Sequence, residues 1–150
     1  MHQPTRDDVR RFFCDAWDRH RSAAPTSPLE RMAIAIILEH PQYHALLDDV
    51  EHALTRDFPV EAGGVNPFLH LSMHLSLEEQ ASIDQPPGIR QLLESLQARG
   101  GDRHGAVHEA MECLGEVIWR TQRGTLPPDI DSINAFYIDC LQRRQGPASR

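Results

Sequence analysis

Two stretches of the chain set histidine, histidine and glutamate four residues apart: His70, His74 and Glu78, then His104, His108 and Glu112, with Glu116 one step further. Imidazole and carboxylate are metal-ligating groups, and a four-residue step rotates about 40° around a helix. Each trio therefore shares one side of its helix. On that side of the first stretch also fall Phe68, Leu71, Leu75, Leu77 and Ala81, while Ser72, Ser76, Glu79 and Gln80 fall opposite. Polar groups in the middle of an apolar face are costly unless they are paired or bind a metal. In the second stretch the polar line borders the stripe Val107, Met111, Leu114 and Ile118, as it would at a helix seam. Two facing helices of this kind can surround one ion or two. Imidazole suits zinc, iron, nickel and copper, and added carboxylates lean the choice toward iron, manganese or zinc. His40 and His44, on either side of Pro41, add ligands if their helix packs against the others.

A plainer chemistry accounts for the same residues. Histidine pairs arise by chance in a chain with nine histidines, and a buried imidazole often bonds only to a backbone carbonyl or a carboxylate. Glu78, Glu112 and Glu116 can pair with arginines such as Arg90 or Arg120. The chain is then a non-enzymatic interaction or scaffold module. Nucleophilic chemistry has little support: the chain lacks G-x-S-x-G, P-loop, G-x-G-x-x-G and H-E-x-x-H motifs. Cys113, in a helix interior, reads as inert packing. No catalytic residue is assigned.

The elements that must carry these groups are all helices. Thr5 or Asp7 caps a first helix to about Arg21, with Val9, Phe12, Phe13, Ala16 and Trp17 as its apolar stripe. Ser27-Pro28-Leu29-Glu30 starts a second, which runs through Met32, Ala33, Ile36 and Ile37 to about Glu39 and is stopped by Pro41. A third runs on from His40 to about Arg56, and Phe58 to Val65 is a connection. Asn66-Pro67 opens the histidine-bearing helix to about Asp84. After Gln85-Pro86-Pro87-Gly88 come helices over about Ile89–Ala98, from Asp102 to Arg123, and over about Asp131–Arg143. No stretch alternates at strand length. The fold expected is all-α, a compact helical bundle of about six or seven helices in one domain over 1–150, ordered from 5 to 143 with a frayed tail.

The net charge of −7 argues against nucleic acid or an anionic membrane as main partner. Arg10, Arg11, Arg19 and Arg21 read as solvated helix faces. Cys14, Cys113 and Cys140 are odd in number and far apart, a poor disulfide framework that suits a reducing compartment. With no signal-peptide pattern and no long apolar run, the expected location is cytoplasmic. A homodimer or a protein partner remains open.

The runs Ile36-Ile37-Leu38-Glu39-His40-Pro41-Gln42-Tyr43-His44, Asn66 to Gln80 with Asp84-Gln85-Pro86-Pro87-Gly88-Ile89, and His108 to Glu116 followed by Trp119 resemble a bacterial family of small proteins known as domain of unknown function 1841. The likeness extends from the first helix to about Leu141. It implies a compact helical protein and supplies no activity. It also implies that inward histidines matching His70, His74 and His108, and glutamates matching Glu78 and Glu112, belong to the family pattern.

Overall fold

The structure is a computed structural model that describes residues 5–58 and 66–145. Among the described residues there are eight α-helices and no strand, the all-α class expected. The expected connection over 59–65, the tail from 146 and His2 lie outside the described residues. Spatial contacts group the chain into two compact units, Met1–Leu75 and Ser76–Arg150.

The first unit begins with α1 (Arg6–Arg21). Thr5 Oγ1 accepts from the Asp8 N–H at 3.1 Å, and the Asp8 carboxylate accepts from the Thr5 N–H at 3.0 Å, a reciprocal cap. Acidic Asp7 and Asp8 at its start and Arg19, His20 and Arg21 at its end suit the helix dipole. The second helix, α2 (Pro28–Leu38), repeats the device with Ser27 and Glu30. Beyond it the chain departs from expectation. In place of one helix to Arg56 there is a 3-10 turn, Pro41–Tyr43, then α3 (His44–Asp48) and α4 (Val50–Thr55). Asp49 makes the break, with φ −117° and ψ 88°, because its carboxylate turns to cap α4 by accepting the His52 N–H. Aspartate is worth more at a cap than in a helix interior.

α1 packs on α2, α3 and α4. Phe13, Cys14, Ala16 and Trp17 meet Ala33, Ile34, Ile36, Ile37, Leu47 and Ala53 in one apolar core, joined by Phe68, Leu71 and Leu75 from α5 (Pro67–Ile83). Arg10 contradicts the solvated-face reading. It is 3% exposed, donates to the carbonyls of Ala53 at 2.7 Å and Arg56 at 2.8 Å, and lies over the rings of Phe58 and Phe68. These carbonyls end α4, where no helical partner remains, so a cation there satisfies them.

The second unit holds the end of α5 with α6 (Ile89–Gly100), α7 (Arg103–Arg123) and α8 (Ile130–Arg144), the last three in mutual contact. Gly101 and Gly124, at φ +97° and +72°, close α6 and α7 in the left-handed conformation that glycine takes without strain. The Tyr137 hydroxyl donates to Gln80 Oε1 at 2.7 Å, fixing α5 to α8. On α7 the expected stripe is buried at Val107 and Met111 but has rotated into solvent by Ile118, whose place is taken by Cys113 and Val117. A second correction concerns the cysteines. Cys113 and Cys140 are disulfide-bonded, with Cα atoms 5.8 Å apart. They are 27 residues apart in sequence, but the short α7–α8 connection folds those helices side by side. Cys14 alone is a free thiol among the described residues, and burial pushes its pKa up to about 11.

Candidate metal centre

Three of the nominated histidines converge within the first unit. Pro41 bars the preceding residue from the helical region, so α2 ends and His40 adopts φ −127° and ψ 65°. Its ring folds back over the last turn of α2, where Nδ1 donates to the Ile36 carbonyl at 2.8 Å. That bond fixes the tautomer, because a carbonyl can only accept: the proton sits on Nδ1 and the Nε2 lone pair faces away. His70 and His74 are one turn apart on α5 and present neighbouring rings, with centroids 4.8 Å apart.

His70 Nε2 lies 3.3 Å from His40 Nε2 and 3.2 Å from His74 Nε2. Ligand nitrogens of the set lie within 4.8 Å of one another. Proton counting shows what these contacts require. With a neutral His40 protonated on Nδ1, its Nε2 accepts and His70 Nε2 donates, which leaves His70 no lone pair for His74. In any state that nitrogen has one proton or one lone pair to serve two neighbours. A cation removes the conflict by taking a lone pair from each ring. A tetrahedral ion with nitrogen ligands at the usual zinc distance separates those nitrogens by about 3.3 Å, which is what two of the three edges show.

The cluster is sheltered. His40 and His74 are each 2% exposed and His70 is half-buried. Tyr43 stacks parallel on His40, with centroids 5.6 Å apart, and meets His70 edge-on at 6.1 Å. Burial pushes its phenol above the ordinary value. From the sequence His40 is offered only as an added ligand, on condition that its helix packs against the others. The His-Pro step at a helix end was the signal for His40, since it sends the ring back toward the carbonyl four residues earlier.

The remaining nominees are placed differently. His44 Nε2 bonds the Ile37 carbonyl at 2.8 Å and its ring lies on Trp17. Glu78 pairs with Arg103 at 3.1 Å, Glu112 with Arg144 at 2.6 Å and Glu116 with Arg120 at 2.7 Å. His104 is exposed, with its ring edge-on to His108 at 4.2 Å. Arginine pairing of these glutamates was the plainer expectation, although the partners are Arg103, Arg144 and Arg120, while Arg90 instead donates to the carbonyls of Ala81 and Ser82.

No helix among the described residues is long and apolar enough to cross a membrane. No curated protein and no solved structure matches the chain. Residues 5–143 match the family described as Domain of unknown function (DUF1841), and the chain belongs to that family.

Proposed function

We propose that this is a transition-metal-binding protein whose ion is held by the Nε2 atoms of His40, His70 and His74. The observation that carries the reading is the proton conflict at His70, together with nitrogen separations of 3.2 and 3.3 Å that fit a tetrahedral ion. The Ile36 carbonyl behind His40 is the kind of outer partner that orients a ligating imidazole. With imidazole as the donor and the glutamates engaged by arginines, zinc or iron(II) suits the site better than manganese. His108 enters this proposal from its sequence spacing, as the fourth ligand. Four protein ligands would make the centre a closed, structural one, whereas water in the fourth position would make it a Lewis acid.

The test is metal analysis of untagged protein purified without chelator. About one equivalent of zinc or iron per chain is expected, falling to background in His70→Ala and His74→Ala, with the wild-type melting temperature lowered by EDTA. Metal retained in His108→Ala would leave the three-histidine site and remove the fourth ligand. Absence of stoichiometric metal, with melting indifferent to EDTA, would leave the histidines a structural role.

A further inference from the structure

The two sulfurs of the Cys113–Cys140 bond differ in access. Cys113, in the middle of α7, is 0% exposed. Cys140, near the end of α8, is half-buried and forms part of the wall of a surface cavity of about 400 Å³. Phe136 lines the same cavity, along with three arginine–carboxylate pairs: Arg120–Glu116, Arg143–Asp139 and Arg144–Glu112. The charges around Cys140 therefore balance. The cavity admits a small molecule by size and access, without strong selection for its charge.

We propose that Cys140 is the reactive member of a thiol–disulfide pair that exchanges with low-molecular-weight thiols, and that Cys113 is its buried resolving partner. In the reductive direction the thiolate of the small molecule attacks Cys140 Sγ. A bond forms between the two sulfurs while the Cys140–Cys113 bond breaks, and its electron pair leaves on Cys113 Sγ, which takes up a proton. A second small thiolate then attacks the small molecule's sulfur in the mixed disulfide. This releases the symmetrical small disulfide and leaves Cys140 as thiolate. Two electrons have passed from two small thiols to the protein. Oxidation reverses the steps: Cys140 attacks a small disulfide, one small thiol leaves, and Cys113 displaces the second from the mixed disulfide.

The order of events follows from geometry. Exchange needs the attacking sulfur in line with the bond it breaks, on a sulfur it can reach. An approach to Cys113 is blocked by the packing of α7, whereas Cys140 is met from the cavity. A buried thiol at Cys113 is also a poor nucleophile toward solvent but is held beside Cys140, which is the disposition of a resolving cysteine. Cys14, a buried free thiol in the first unit, has no such neighbour in bonding reach and serves as an internal control.

The experiment uses the full chain as Cys113→Ser and Cys140→Ser, each reduced, desalted into EDTA and exposed to oxidised glutathione, with adducts located by peptide mass spectrometry. EDTA makes the outcome independent of the histidine site. The proposal expects Cys113→Ser to take up one glutathione at Cys140, and Cys140→Ser to modify Cys113 about tenfold more slowly or less. Equal rates, faster modification of Cys113, or no reaction at Cys140 in protein that remains folded by circular dichroism would overturn it. Should either variant fail to fold, wild-type protein supplies the second readout. After brief reduction with dithiothreitol, pulsed alkylation is expected to label Cys140 before Cys113 and Cys14, and simultaneous labelling of all three would reject the assignment.

Discussion

At the scale of single residues, the central position belongs to His70, whose Nε2 stands between two other imidazole nitrogens. The spacing of His70 and His74 made that pair legible in the sequence, because a four-residue step determines a shared helix face. Their third partner was only half legible: His40 lies thirty residues earlier, and nothing in local periodicity says that the end of α2 meets the face of α5. Arg10 was misread for a related reason. Its neighbours in sequence suggest a solvated face, and the carbonyls it serves lie in the last turn of α4 and just after it, 43 and 46 residues on. Removing it leaves the buried Ala53 carbonyl and the partly buried Arg56 carbonyl without this donor and opens the space between Phe58 and Phe68. Arg10→Ala is therefore expected to cost about 2–4 kcal/mol in a urea or thermal melt, whereas the exposed Arg11→Ala should change stability by about 0.5 kcal/mol or less.

At the scale of elements, caps and breakers carried most of the fold. Thr5, Ser27, Asp102 and Asp129 each cap a helix as their types suggest, and Gly124 ends α7 where expected. The break between α3 and α4 was hidden because Leu46, Leu47 and Val50 continue a helical pattern straight through Asp49. Only the finished structure shows that the aspartate prefers to cap. The disulfide was hidden likewise, since cysteine spacing says nothing until α7 and α8 are known to be neighbours. Pro41 is the element-scale control of the candidate metal centre, because it ends α2 and sets the backbone of His40. Pro41→Ala lets that backbone relax toward helix and should weaken zinc binding about tenfold or more, by analogy with the loss of an orienting partner. Titration calorimetry on metal-stripped protein reads this directly. Unchanged affinity would show that the proline is not what holds the ring.

Over the whole molecule, stability should depend on acid in a way set by the helix ends. Backbone N–H groups donated by Ser27, Arg90 and Ser132 hold the carboxyls of Glu30, Asp84 and Asp129, respectively, below their ordinary values. A carboxyl lowered on folding contributes stability above its unfolded value and loses it as pH falls through the folded one. In metal-stripped protein, the contribution of these carboxyls to the melting temperature should therefore be full above about pH 5 and decline below about pH 4, with the decline reduced in Glu30→Gln. The most direct measurement is the X-ray absorption spectrum of the zinc-loaded protein at the zinc edge. A first shell of nitrogen or oxygen at about 2.0 Å, with outer-shell scattering from at least three imidazole rings, is the predicted result. A shell of sulfur at about 2.3 Å, or one without imidazole scattering, would contradict it.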